Sequence, residues 1–534
     1  MFPCLASTVC CRCCSKSSLF SELFVSVDGW KFHAFPSLVS EFLLSVSLNR
    51  MQSSLKEKTL SGLFWQFLQK ILGQLFSFVV TVVLARLLMP EDYGVVALAS
   101  MFNVLVGIFI SGSMDAALIQ KKDADELDYN TVFFSSFVMS FVIYAVVYFG
   151  APFFARLYHN DLITPIMRVL ALTMPIGALT MVQNAIVSRQ MAFRKLFYTS
   201  LIGQVLAAML GIYMAYTGYG PWALVAQQIF GTLSGATVLF VVVPWRPRLA
   251  FSWVRFLVLF NFAWKKTAAG FIGTLCGQLK GYLIGFRYSA ADLAYYDRGE
   301  GLPAMLNNNV LGTINTVIFP VMSQLQGDVE AVKQATRRSM MTSSYILSPM
   351  FLGLAAVAEK AVPLLYSERW EPTVPFMQVA CFTCCVTVLN SNLQSILAIG
   401  KSAAVLKLEI YKKPVMVLLV FIGINFGPIG ISIAIFFYSV YVFFMNTLPN
   451  RKYLHYTFKE QIVDVGGGLT LAAVMSLLVN LLGSCFTCDW LALLVQIPTG
   501  VILYLFLSEL IRPKAYLYVR QMVAEKVQQL YCQS

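Results

Sequence analysis

The chain has 534 residues, of which 58% are hydrophobic and only 12% are charged. Soluble domains carry about 25% charged residues, so this composition excludes a water-soluble globular protein and indicates a chain that uses lipid as its solvent. The formal net charge of +13 does not favour a nucleic-acid partner, because the basic residues lie in short segments between apolar runs and not in one patch.

Residues 1–50 do not have the layout of a signal peptide, because acidic residues interrupt their apolar stretches. From Met51 the chain reads MQSSLKEKTLSGLFWQF, a basic leader that runs directly into an apolar segment. We therefore expect residues 1–50 to be a non-native or disordered extension with no folded role.

Apolar runs of about 20 residues, the length of a membrane-spanning helix, recur along the rest of the chain. The sequence predicts an all-α integral membrane protein with about fourteen such helices. Their approximate bounds are 63–88, 93–113, 131–150, 165–186, 197–217, 220–243, 256–286, 302–325, 338–358, 374–398, 407–426, 428–447, 463–484 and 489–510.

The distribution of basic residues orients these helices, because Lys and Arg favour cytoplasmic loops. If the Met51 leader is cytoplasmic and each helix crosses once, 24 Lys and Arg residues, Lys412 among them, collect on the cytoplasmic side, and 7 lie on the other. An odd number of miscounted helices would have removed this bias. The sequence therefore predicts that both termini are cytoplasmic.

A short polar segment separates the first two helices and reads ARLLMPEDYGVVALAS. We interpret it as a hairpin on the outer side of the membrane that follows Arg86. In this interpretation Pro90 ends one helix, Asp92 caps the next and Gly94 leaves room for the turn. These charges face outer water, so the hairpin is not predicted to bind the cargo.

A weak echo of this segment, LIGFRYSAADLAYYDR, follows the seventh helix and contains Arg287 and Asp292. Six helices separate the two copies, which favours two six-helix bundles in parallel orientation around a central cavity; a chance match is the alternative. The predicted organisation is an extension over 1–50, a first lobe over 51–243, a linker over 244–255, a second lobe over 256–447, two further helices over 448–511 and a basic cytoplasmic tail over 512–534.

Polar residues inside the predicted helices are candidates for function, because they are costly in lipid. Lys70 shares one helix face with Gln66 and Gln74, and Lys280 lies deep in the seventh helix. Lys266 is nearer the helix end and could instead extend to the interface. The candidate cavity residues are Lys70, Gln66, Gln74, Lys266, Lys280, Gln278 and Asn307.

The predicted helices contain almost no carboxylates, so the cavity is expected to be cationic and to accept an anionic cargo such as a phosphate. Nucleotide-binding, zinc-protease and serine-hydrolase motifs do not occur. The acidic run KKDADELDYN is expected to be a solvated loop rather than a metal site. We therefore predict a transporter without enzymatic activity, metal or cofactor.

Several segments together resemble the polysaccharide-transporter branch of the MOP superfamily, the Wzx-type flippases. They are ARLLMPEDYGVVALAS, YDRGEGLPAM, WRPR and LLYSERWEPTVPFMQVA, spread over about residues 51–520. Within the branch the chain is most similar to colanic-acid and teichuronic-acid exporters. Where many relatives have Asn-Leu-Asp in the seventh helix, this chain has Gln278-Leu279-Lys280, which weakens any cation-coupling role there.

This resemblance implies a MATE-like fold in the bacterial cytoplasmic membrane. It implies alternating-access export of undecaprenyl-diphosphate-linked oligosaccharide, with a polymerase and glycosyltransferases of the pathway as possible partners. The alternatives are a flippase for a peptidoglycan precursor, a drug or cation antiporter of the same fold, and a membrane polysaccharide polymerase. An antiporter should show buried carboxylates, and a polymerase a large external loop.

Overall fold

The computed structural model describes residues 68–521, with gaps at 112–113, 122 and 191, together with residues 65 and 524. These residues belong to one compact unit that begins at Phe64. The predicted extension over 1–50 and the candidate residue Gln66 lie outside the described residues.

The regular structure of the described residues is helical. The helices are α1 (Leu68–Leu87), α2 (Pro90–Ser111), α3 (Met114–Gln120), α4 (Glu126–Leu157), α5 (Ile163–Leu170), α6 (Thr173–Arg189), α7 (Phe193–Tyr216), α8 (Pro221–Val242), α9 (Trp253–Arg287), α10 (Ala290–Gln324), α11 (Val329–Tyr366), α12 (Val374–Leu389), α13 (Leu393–Ala398), α14 (Ser402–Gly423), α15 (Gly427–Leu454), α16 (Phe458–Gly483) and α17 (Asp489–Ile511). Below, the first half denotes α1–α8 and the second half α9–α15.

The predicted number of fourteen membrane helices is not confirmed. In the described part of the chain, eleven helical stretches are long and apolar enough to cross a membrane. One of them, Ser402–Leu454, contains the two helices α14 and α15. The long helices α9 and α10 are not among the eleven. They carry several charged residues, among them Lys280, Arg298 and Glu300.

The eighth predicted helix begins twelve residues earlier than expected, at Ala290 and not at 302. Ser289 caps it: the Ser289 hydroxyl accepts from the backbone N–H of Asp292 at 3.0 Å, and the Asp292 carboxylate accepts from the Ser289 N–H at 3.1 Å. The polar run DRGEG therefore belongs to the helix, and Arg298 and Glu300 lie within it.

The hairpin between α1 and α2 differs from its predicted form at two residues. Pro90 does not end α1, which stops at Leu87; it is the first residue of α2, where its missing N–H costs no hydrogen bond. Gly94 is not in the turn but in α2, against the start of α10. A Cβ on Gly94 would fall 1.8 Å from the carbonyl oxygen of Ala290, so no other residue fits this helix contact unchanged.

Contacts between the two halves surround this glycine. The indole N–H of Trp370, which is fully buried, donates to the carbonyl oxygen of Ala85 at 2.9 Å. Arg86 donates to the carbonyl oxygens of Leu364 and Leu365 at the end of α11. The two halves are thus joined at the end of the bundle where α2 and α10 begin.

A second junction between the two halves lies at the start of α4 and involves Asp128, whose side chain is fully buried. Its carboxylate pairs with Lys121 at 2.6 Å and with Arg255 of α9 at 3.3 Å. Asp125 caps α4 and also pairs with Arg255. The expected solvated acidic loop is therefore wrong for Asp128, because two cations and the helix start enclose it.

The helices α16 and α17 pack against α11. Arg337 of α11 makes two hydrogen bonds to the Asp464 carboxylate, both 2.7 Å long, and the Tyr504 hydroxyl donates to the carbonyl oxygen of Tyr345 at 2.9 Å. A bidentate pair of this kind fixes both position and angle. The two helices after the second half are therefore firmly attached to it.

Candidate functional site

A cavity of about 310 Å³ lies where helices of the two halves face each other. The first half contributes Tyr93 from α2 and Gln227 and Gln228 from α8, and the second half contributes Gln278 from α9 and Arg298 from α10. Among the seven predicted cavity residues, Gln278 is the one that lines this cavity.

Arg298 is the cation of this cavity. Its guanidinium lies over the ring of Tyr93, 4.4 Å from the centroid, and 4.0 Å from the carboxylate of Asp297. The Nε atom of Arg298 and the hydroxyl of Tyr93 are buried, and neither has a hydrogen-bond partner within the described structure. Such groups are costly unless a ligand or water satisfies them, so these two atoms mark a polar binding position.

Lys280, the deep cation of α9, is not free to face a ligand alone. Its Nζ lies 2.7 Å from Oε1 of Glu300 on α10, and the Tyr296 hydroxyl donates to the same oxygen at 2.5 Å. The side chains of Lys280 and Glu300 are 22% and 29% exposed. The pair is therefore partly shielded from solvent and is close to neutral as a unit.

The remaining predicted cavity residues that the structure describes lie on three helices, α1, α9 and α10. Lys70 of α1 is exposed, and its Nζ lies 4.0 Å from the position that a Cβ would take on Gly312 of α10, so it faces the second half. Asn307 has a buried, unpartnered Oδ1. Lys266 is exposed on α9 and Gln74 is half-buried on α1. None of these four residues is in the lining of the Arg298 cavity or of the two cavities within the first half.

Two further cavities, of about 660 Å³ and 380 Å³, lie among the helices of the first half. Asn184 of α6 lines both of them, and Gln228 lines both and the Arg298 cavity as well. The three cavities therefore adjoin at Gln228 and form one polar region that extends from the first half to Arg298.

The expectation that the predicted helices lack carboxylates is wrong. Asp297 and Glu300 lie in α10, and Lys412, counted above as a cytoplasmic cation, is 3% exposed in α14 and bonds to Glu409 at 2.5 Å. Asp297 and Glu300 lie in a segment that the sequence predicts as a loop, whereas Glu409 lies inside the predicted helix 407–426 and contradicts the expectation directly. The charged residues that line the three cavities are Arg298 and Asp297 in one and Asp115 in another, whereas Lys280 and Lys412 are paired with Glu300 and Glu409.

Sequence reasoning also missed Arg298, Gln227 and Gln228. The Gln-Gln pair interrupts the apolar run of α8 and is a visible signal, but it is not among the predicted cavity residues. Arg298 stood in a predicted loop. The described residues contain no group of three or more His, Cys, Asp or Glu that could hold a metal ion.

A protein-family model described as "Polysaccharide biosynthesis protein" matches residues 83–375, more than half of the chain. A succinoglycan biosynthesis transport protein, ExoT of Rhizobium meliloti, is 26% identical over 59% of this chain and 63% of its own length, a little under two thirds. The lipopolysaccharide biosynthesis protein WzxC of Escherichia coli is 21% identical over 71% of this chain and 78% of its own.

Among solved structures, the lipid II flippase MurJ in an inward closed conformation superposes with a TM-score of 0.66 at 15% identity, over 87% of this chain and all of MurJ. An inward-facing multidrug resistance MATE transporter of the MOP superfamily superposes with a TM-score of 0.56 at 14% identity, over 71% of this chain and 94% of its own. At such low identities these superpositions establish the fold alone. They confirm the predicted all-helical, MATE-like architecture.

Proposed function

Because this chain belongs to the polysaccharide biosynthesis protein family, we propose that it is a flippase that translocates polyprenyl-diphosphate-linked oligosaccharide by alternating access. The family match also confirms the resemblance inferred from the sequence. The proposal includes the bacterial cytoplasmic membrane as its location, two lobes over 51–243 and 256–447, and both termini in the cytoplasm. No chemical step is needed, so the protein is proposed to be a transporter and not an enzyme.

One observation carries this proposal: Arg298, whose buried Nε has no hydrogen-bond partner in the described structure, lines a polar cavity between the two halves. A guanidinium is suited to phosphate because it is always charged and presents several donors in a plane. In this proposal Arg298 binds the diphosphate, and Lys70, which lies beside Gly312 farther along α10, supplies a positive charge elsewhere on the path of the cargo. Lys280 and Gln278 complete the α9 side of the binding region.

The carboxylates of the second half do not favour the drug-antiporter alternative. Glu300 is paired with Lys280 at 2.7 Å, and Asp297 lies beside Arg298 at 4.0 Å. A cationic drug would have to compete with a tethered lysine or arginine for each of these acids. An anion that accepts a hydrogen bond from the unpartnered Nε of Arg298 is the simpler chemistry.

The test is translocation in proteoliposomes. A polyprenyl-diphosphate oligosaccharide with a fluorescent sugar is placed in both leaflets, and an impermeant reductant bleaches the outer one. Protein-dependent flipping raises the bleached fraction. Arg298→Gln should slow flipping roughly 10- to 100-fold, since a hydrogen bond to a charged group contributes about 1.5–3 kcal/mol.

Arg287→Gln is the matched control, because Arg287 is an exposed arginine at the end of α9 and does not line the cavity. It should flip at the wild-type rate. Lipid II is run in parallel: transport of lipid II without transport of the longer repeat unit would favour the peptidoglycan-precursor alternative. Wild-type protein that flips neither lipid overturns the proposal.

A further inference from the structure

The largest of the three adjoining cavities, about 660 Å³, lies among α1, α6, α7 and α8. Its volume is within the range of roughly 300–1,000 Å³ that is usual for small-molecule sites. Its described lining contains no charged residue. Its polar lining residues are Gln69, Ser77, Thr81, Thr180, Asn184, Thr199, Ser200, Gln204, Gln227, Gln228 and Thr232.

The hydroxyl groups of this lining are already oriented by their own helices. Thr180 donates to the carbonyl oxygen of Gly177 at 2.9 Å, Thr199 to that of Lys195 at 2.8 Å, and Thr232 to that of Gln228 at 2.9 Å. Once a hydroxyl has donated its proton, its lone pairs remain as acceptors. The cavity wall therefore offers acceptors in fixed positions.

The amides supply the complementary donors. Asn184, Gln204 and Gln228 are each exposed to the cavity region, and a primary amide carries two N–H donors and one acceptor. In the adjoining cavity of about 380 Å³, Asn103 has a buried Oδ1 without a partner in the described structure. An unsatisfied amide oxygen inside a membrane protein is expensive, and a hydroxyl donor of a ligand would satisfy it.

We propose that this uncharged cavity is a saccharide subsite, which binds the sugars next to the diphosphate while Arg298 binds the phosphates. The inference rests on the proposed function and deepens it. Sugar hydroxyls both donate and accept, so they match a wall of fixed acceptors and amide donors. Gln228 lies where the two subsites meet, because it lines the neutral cavity and the Arg298 cavity alike.

The test compares two lipids in the same proteoliposomes: polyprenyl diphosphate with a neutral oligosaccharide, and polyprenyl diphosphate without sugar. Asn184→Leu should slow flipping of the oligosaccharide lipid about three- to tenfold, the effect of losing one or two neutral hydrogen bonds. It should leave the sugar-free lipid within about twofold of wild type. Arg298→Gln should slow both lipids.

The helix α8 offers a matched control pair. Thr232 and Thr237 both donate to the carbonyl oxygen four residues earlier, at 2.9 Å, but only Thr232 lines the cavity. Thr232→Val should slow the oligosaccharide lipid about twofold, and Thr237→Val should not change it. Thermal unfolding of each variant identifies misfolding.

The outcomes separate the two proposals. If wild-type protein flips neither lipid, the flippase function fails. If wild-type protein flips the oligosaccharide lipid but Asn184→Leu and Thr232→Val flip it equally fast, or if they slow both lipids to the same degree, the saccharide subsite is overturned and the flippase function stands.

Discussion

The ammonium group of Lys280 on α9 is held 2.7 Å from the carboxylate of Glu300 on α10. Tyr296, one turn before Glu300, donates to the same carboxylate and lies with its ring 5.1 Å from the ammonium nitrogen. A lysine that the sequence presents as a lone intramembrane cation is thus half of a helix-to-helix ion pair. Removal of Lys280 should therefore lower the stability of the folded protein more than it weakens binding of the cargo.

We expect Lys280→Met and Glu300→Gln each to lower the stability of the detergent-solubilised protein, because either change leaves the other partner without its counter-ion. The double variant should recover part of the loss, with a coupling of about 1–3 kcal/mol. The measurement is a double-mutant cycle on the unfolding midpoint. Lys266→Met, an exposed lysine of the same helix, should have no effect. Strict additivity would mean that the pair contributes nothing.

The buried carboxylate of Asp128 should be a major anchor of α9 to the first half. Asp128→Asn removes the carboxylate that Lys121 and Arg255 share. Because both cations are about one-third exposed and Arg255 keeps Asp125, the loss of stability should be smaller than the about 3–5 kcal/mol of a fully buried pair. We expect faster proteolysis in the segment between α8 and α9. Asp123→Asn, an exposed acid of the same loop, is the control. Equal proteolysis of the two variants would argue against the anchor.

The neighbouring Asp125 should give the same junction a dependence on pH. The backbone N–H of Asp128 and the guanidinium of Arg255 lower the pKa of the Asp125 carboxyl below its ordinary value of 3.8. A carboxyl with a lowered pKa stabilises the folded state above the ordinary pKa and loses this contribution as the pH falls through the lowered one.

The unfolding midpoints of wild type and Asp125→Asn should therefore differ by a constant amount above pH about 4. The difference should shrink as the pH falls below 3.8. A difference that persists unchanged to pH 2, or one that vanishes near pH 7, would show that the Asp125 carboxylate is not its source.

The proposed topology can be tested with native cysteines. Cys485 and Cys488 are exposed in the segment between α16 and α17, which the proposal places on the outer side. A membrane-impermeant maleimide should label them in right-side-out vesicles, and changing both to serine should abolish that labelling. Labelling that requires permeabilised vesicles would invert the proposed orientation.

The sequence predicted the apolar helices well and the polar ones poorly. The second predicted helix, 93–113, differs by only a few residues from Pro90–Ser111, because apolar residues recur in every turn of it. The start of α10 was missed by twelve residues, since hydropathy cannot distinguish a polar helix buried among other helices from a loop. The pair Ser289 and Asp292 was the available signal, as a helix cap.

The polar character of the site could be predicted from the sequence, but most of its residues could not. A polar, partly cationic region between two halves followed from Lys70 and Gln278, but Arg298 lay in a segment read as a loop. Counter-ions such as Glu300 cannot be assigned without knowing which helices face each other. The neutral cavity could not be predicted, because Asn, Gln and Thr are individually common in membrane helices, where they also hydrogen-bond to one another. They indicate a site only when the structure shows that several of them line the same cavity.

The contact of Gly94 with Ala290 also determines how the two halves can exchange conformations. Backbone lies against backbone there, so no side chain can bend to accommodate an intermediate separation, and the contact is either made or broken. A methyl group at position 94 would penalise only the state in which it is made. A full reversal of a population from 99:1 to 1:99 needs about 5.5 kcal/mol. We expect the Gly94→Ala clash with Ala290 to shift the ensemble toward the state in which the contact is broken, which spin labels across this end would record as a longer distance.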